Sequence, residues 1–395
     1  MKLGEDLIGR DSRPPFFRVA EPAALGIAVP APRRPEGDAV RAVVRTLSGF
    51  QKEAFVASAR TGRVWRLVSD EGAYLNGQDA APCPLAFFTC GMIAGYLHEI
   101  CALAAERGID VSGLRLVQNN FYTMQGAMRD RSMIGGARPV ELEVQIGAGA
   151  EDARLAQLCM DAVEAAPIRG LMRGVVPSLF ALARNGAPLA PGGVGRLPGE
   201  VAPLPPRAAL DAARPVSGGP DLIRRTGTTR EKAQAGATSA GGSSLSDHQD
   251  RVLNPAATAW IEDGLVVIEQ RLYSPRGSTF RFLSSEDGRA PDAATLLAAG
   301  IGFCFMTQFG RFAAMEKLDL PDYAIVQDLH LSAGGGSGGT GLPGAADPVE
   351  THVHLTTDMP DDAAREMLDV AERTCFLHAF CRTDLKTRLR LRQAA

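Results

Sequence analysis

Thr295-Leu-Leu-Ala-Ala-Gly-Ile-Gly-Phe-Cys304-Phe305 forms the centre of an apolar run that continues to Met315. From 293 to 316 the residues are apolar on nearly every helical face, the pattern of a helix covered all round. Gln308 and Arg311, near its middle and end, would be costly in hydrocarbon, so the run reads as a core helix and not a membrane span. Something large must sandwich it, and the neighbouring sequence supplies strands. Residues 264–273 and 278–284 alternate and are rich in β-branched types, with Ser274-Pro-Arg-Gly277 as the turn between them. At 349–356, Val349, Thr351, Val353 and Leu355 share one strand face, while Glu350, His352, His354 and Thr356 share the other. A second helix is predicted over 361–380, with Ala364, Met367, Leu368, Ala371, Cys375 and His378 along one stripe, so Cys375 faces the core.

The same order occurs earlier in the chain. A constant offset of 209 residues places Ala81-Pro82 on Ala290-Pro291, Pro139-Val140-Glu141 on Pro348-Val349-Glu350, and a helix at 84–106 on the one at 293–316. Agreement of helix, strand and loop positions over about ninety residues argues for internal duplication. The expected organisation is a Pro/Arg-rich extension at 1–50, a first lobe at 51–190, a Gly/Ser/Pro-rich linker at 191–250 and a second lobe at 251–395.

Composition narrows the function. Of 395 residues, 45% are hydrophobic and 22% charged, as in an ordinary globular protein, and the net charge is −3. No global basic field exists to hold nucleic acid or an anionic membrane, so a small or neutral ligand is expected. Seven cysteines, an odd number, with no signal-like start, point to the reducing cytoplasm.

The Leu-Leu-Ala-Ala-Gly run leading into Cys304, with Cys375 on a later helix, resembles the OsmC/Ohr family. The Pro275-Arg276-Gly277 turn followed by Ser285-Glu286-Asp287-Gly288 also resembles that family's amino-terminal hairpin. The resemblance spans roughly 54–175 and 255–392. It implies an α+β fold: an OsmC-like unit duplicated in one chain, with two long buried central helices wrapped by antiparallel β-sheets, existing as a monomeric pseudo-dimer or a homodimer. It also implies thiol-dependent reduction of an apolar organic hydroperoxide. Cys304 matches the attacking thiol and Cys375 the resolving one, an external thiol or dithiol restores both, and no resident cofactor or metal is needed. An Arg contributed from the other half holds the thiolate; Arg60 matches it for Cys304, and Arg276 would serve the opposite site.

The chemistry behind that pattern is general. Peroxide cleavage needs a thiolate, burial raises a thiol's pKa, and a nearby cation must offset the burial. A second thiol in reach protects the first from irreversible oxidation. This chain departs from the pattern in several places. Gly95 and Ala166 stand in the first half where the second has Cys304 and Cys375, so the first lobe has no Cys pair. Ala294 replaces the family's Glu, leaving Glu286 or Asp287 to partner the Arg, and Phe376 replaces the Pro common after the second Cys. Alternatives therefore stay open. Cys375 and His378, at i and i+3, suit a Cys/His-dependent hydrolase or thiol transferase acting on a small electrophile. Cys90 and His98 lie on the first buried helix, where a ligand-binding or catalytic role is possible, and the degenerate half suits a non-catalytic small-ligand-binding protein. His330, His352 and His354 can in principle meet at a metal, but the polar Glu143 and Gln145 at the matching positions favour a solvated strand face. The Gly-rich 333–341 segment reads as a flexible loop.

Overall fold

In the computed structural model, residues 4–127, 130–146, 152–229, 251–274 and 276–393 are described. The first half contains strands β1 (Gly37–Ser48), β2 (Gln51–Ser58) and β3 (Val64–Ser69), helix α1 (Pro84–Arg107), strands β4 (Arg115–Gln125) and β5 (Ile134–Ile146), helices α2 (Asp152–Ala165) and α3 (Ile168–Met172), and strand β6 (Leu179–Arg184). The second half repeats this order: β7 (Arg251–Glu262), β8 (Leu265–Ser274), β9 (Ser278–Ser284), α4 (Ala293–Glu316), β10 (Asp322–Ser332), β11 (Glu350–Thr356), α5 (Asp361–Thr374), α6 (Phe376–Cys381) and β12 (Thr387–Gln393).

The fold class is α+β, with four layers. One sheet has the order β3-β2-β1-β10-β11-β6 and the other β9-β8-β7-β4-β5-β12. Each takes its first three strands from one half, its next two from the other, and its last from the first again. The exchange is sealed by register: Val44 of β1 faces Ile325 of β10, and Leu116 of β4 faces Ala259 of β7. Each of these six-strand runs is antiparallel except for one parallel pair, β11 with β6 and β12 with β5. Helix α4 lies on the first sheet and α1 on the second, and the two helices pack against each other in the middle.

Local chemistry explains the central helices. Pro84 starts α1 and Gly108, in the left-handed region at φ 62°, ends it; Asp292 caps α4 by accepting from the Thr295 N–H at 2.7 Å. They cross closely because glycines stand at the crossing. A Cβ on Gly300 would lie 2.7 Å from the Phe88 amide nitrogen, and one on Gly91 would lie 2.8 Å from that of Leu297. Around them Phe87, Phe88, Phe303, Phe305 and Phe309 are fully buried.

Three boundaries differ from the sequence reading. The expected extension at 1–50 ends before Gly37, because β1 is an interior strand. Its Arg41 and Arg45 disguise it, and they are neutralised by Asp328 of β10 and Glu53 of β2. The expected linker contains structure: Arg207–Ala212 is helical, and Ile223–Thr228 pairs with β9 as an edge strand, while residues 230–250 lie outside the described residues. The expected continuous helix at 361–380 breaks at Cys375, whose ψ is 121°. The Gly-rich segment is seated on α1, where the Ser337 N–H and hydroxyl donate to Glu99 and a Cβ on Gly336 would lie 2.8 Å from the Leu103 nitrogen.

Candidate active site

The helix break at Cys375 lies beside Cys304 of α4, and the two thiols are near enough to influence each other electrostatically. Both cysteines are buried and free; Cys304 is 2% exposed. Burial raises the Cys304 thiol well above its ordinary value, Cys375 raises it further, and the Leu377 N–H donating to it acts the other way.

A small cavity of about 40 Å³ opens on Cys304, bounded also by Glu71, Cys83, Thr307, Arg311 and Phe376. At one probe sphere per water, that is room for about three waters or a hydroperoxyl group. Glu71 is fixed there: it accepts from Thr307 Oγ1 at 3.0 Å and from Tyr74 Oη at 2.8 Å, and burial pushes its carboxyl above the usual range. Beneath it Lys52 is buried, with Nζ donating to the Phe50 carbonyl at 2.6 Å and with Glu71, Asp70, Cys304 and Cys83 within electrostatic reach. Cys83, at the N-cap of α1, is a third thiol here, pushed up to about 12 by burial and by Glu71. Lys52, Glu71 and Cys83 escaped the sequence reading. Lys52 sits in a strand that looks half-solvated, and the offset sets Cys83 against Asp292 without revealing that Cys83 lines the cavity at Cys304.

Arg60 is elsewhere. Instead of Cys304 it meets Glu286 at 2.6 Å, Asp292 at 3.0 Å and Asp38 at 3.8 Å, at the mouth of a second cavity of about 340 Å³ that contains Gly95, His98 and Glu99. The expected assignment is thus corrected. The β2–β3 turn that bears Arg60 packs where the N-terminal end of α4 meets Gly91 and Gly95 of α1, away from Cys304. Arg276 is on the second-half hairpin, exposed in the β8–β9 turn. Cys304 and the Arg–Glu pair have thus parted company: one pocket holds Cys304, the other Arg60 and Glu286.

The remaining candidates read as follows. His378 is fully buried between Phe180 and Phe305, neither ring nitrogen has a hydrogen-bond partner, and burial pushes it down to about 3. It makes no bond to Cys375, so the expected Cys/His couple does not form; the ring is packed against Phe180 and Phe305 instead. Cys90 is wholly enclosed and its thiol is raised by that burial. Asp287 pairs with Arg289 and not with Arg60. His352 Nδ1 accepts from the Ala202 N–H at 3.0 Å and His354 Nε2 lies 2.9 Å from the Ala202 carbonyl, so these two fasten the 191–229 segment to the first sheet. Among the described residues, no group of three or more His, Cys, Asp or Glu is arranged to hold a metal ion.

Residues 286–390 match the family model described as OsmC-like protein. No curated protein matches the chain. Two solved structures are similar in part. One is an OsmC-like hydroperoxide resistance protein from Jannaschia sp. CCS1, 20% identical, with a TM-score of 0.20, covering 30% of this chain and 79% of that one. The other is a candidate osmotic stress induced and detoxification response protein from Psychrobacter arcticus 273-4, 13% identical, with a TM-score of 0.23, covering 32% of this chain and 83% of that one.

Proposed function

We propose that the protein reduces organic hydroperoxides with the Cys304–Cys375 pair, a reading supported by the match of residues 286–390 to the OsmC-like family model. The observation that carries this reading is the proximity of the Cys375 thiol to Cys304, which lines a small cavity with Arg311. Lys52 and Arg311 take the place of the missing Arg60 as the cations that favour the Cys304 thiolate. The Cys304 thiolate attacks the terminal oxygen of the hydroperoxide; the O–O bond breaks, and its electron pair leaves on the alkoxide, which takes a proton from water and departs as the alcohol. Cys304 is then a sulfenic acid. The Cys375 sulfur attacks it, the S–O bond breaks, and hydroxide leaves with the Cys375 proton as water, so a disulfide forms. An external dithiol returns both cysteines to thiols and is itself oxidised, which suits a reducing, cytoplasmic setting.

The alternating strand exchange supports reading the chain as two OsmC-like units fused into one pseudo-dimer, of which only the second keeps the thiols. Peroxide consumption with a dithiol as reductant tests the assignment. Wild-type protein turns over and Cys304→Ser does not; full turnover by Cys304→Ser would refute it.

A further inference from the structure

The vacated pocket of the first half is larger and more highly charged than the thiol pocket. Gly95 occupies the place of the attacking thiol, and a Cβ built there meets only Ala293, at 3.6 Å. The resulting cavity of about 340 Å³ falls within the range of small-molecule sites. Its apolar wall is Leu297, Ile168 and Leu331.

Its charge is one-sided. Glu36, Asp38, Glu99 and Glu286 line it against the single guanidinium of Arg60, which is itself shared with Asp292. His98 adds no positive charge near neutrality, since burial and Arg60 lower it, and its imidazole makes no hydrogen bond to a described residue. Asp38, Glu99 and Glu286 all lie above their ordinary values, pushed first by burial; at Asp38 and Glu286 the negative charge of Asp292 adds to this. One cation is too few for these carboxylates. A second positive charge held between an acidic rim and an apolar wall relieves the imbalance, whereas an anion meets repulsion and a neutral molecule leaves it in place.

We propose that the Gly95 cavity is a binding site for a small organic ammonium ion, an alkyl amine whose charged head joins these carboxylates and whose short hydrocarbon body lies on Leu297, Ile168 and Leu331. The inference stands on the first-half cavity and is independent of the thiol chemistry at Cys304.

The test is calorimetric titration of the full-length reduced protein at neutral pH with n-butylammonium, butyrate and 1-butanol, three probes of similar size and different charge. Butylammonium binds, and butyrate and butanol do not at the same millimolar concentration. Glu99→Gln weakens binding about tenfold or more, Gly95→Leu removes it by filling the space, and Cys304→Ser binds as wild type does. Equal binding of butanol would reduce the cavity to an apolar hole and overturn the proposal. So would preferential binding of butyrate, which would make Arg60 the dominant group, or the failure of butylammonium to bind at all. Because Cys304→Ser is expected to bind amine while losing peroxide turnover, the two readings fail separately.

Discussion

Replacing Glu286 by Gln reverses an intuition about ion pairs. Glu286 Oε2 lies 2.6 Å from Arg60, a geometry that suggests stabilisation. Asp292 competes for the same Nη2 at 3.0 Å, and burial together with Asp292 lifts the Glu286 carboxyl from 4.5 to about 7 despite Arg60. In the unfolded chain Glu286 loses its proton near the ordinary value, whereas in the folded chain it keeps it until about pH 7. The unfolded state therefore binds fewer protons across that window, and this group's contribution to stability falls as pH rises from about 4.5 to 7. At 1.36 kcal/mol per pKa unit the ceiling is about 3 kcal/mol; with the side chain 26% exposed, solvent screening brings it to about 1–3 kcal/mol. Glutamine cannot ionise. Urea denaturation should find Glu286→Gln more stable than wild type by about 1–3 kcal/mol at pH 8 and equal to it at pH 4, with the denaturant slope unchanged. A variant less stable than wild type at pH 8 would show that the Arg60 pair outweighs burial and Asp292, and would refute the reasoning.

Other substitutions probe the thiol pocket. Cys375→Ser should allow one round of peroxide reduction that leaves Cys304 as sulfenic acid, which further equivalents of peroxide carry to sulfinic or sulfonic acid, visible as added oxygen mass in intact-protein spectra. Lys52→Met should raise the Cys304 pKa and slow alkylation by iodoacetamide, on the order of tenfold for each 1.4 kcal/mol of thiolate stabilisation lost; an unchanged rate would remove Lys52 from the site. His378→Leu should raise the thermal midpoint or leave it unaltered, because it replaces a buried imidazole whose two nitrogens lack partners. It should also leave peroxide turnover intact, and loss of turnover would revive Cys/His chemistry.

Much of the fold was legible in the sequence because its centre is unusual. Few surface helices are apolar on all faces, so 293–316 and 84–106 announced themselves as core, and the 209-residue offset tied them together. Strand β1 stayed hidden because Arg41 and Arg45 break its apolar pattern, and their partners Asp328 and Glu53 are known to be adjacent only once the strands are paired. The break before α6 was hidden too: the apolar period runs smoothly through Cys375, and tertiary packing ends the helix. The proposed pairing of Cys304 with Cys375 came from resemblance. The placement of Arg60 was not legible, because it depends on where the β2–β3 turn packs between the two central helices, which local sequence does not encode.

The most direct measurement is to treat the fully reduced protein with one equivalent of cumene hydroperoxide and map its disulfides by peptide mass spectrometry. A single rapid bond between Cys304 and Cys375, with Cys90, Cys101 and Cys159 still free, is the predicted result. Both Cys304 and Cys375 remaining as free thiols, or Cys304 bonding to Cys83 instead, would contradict the account.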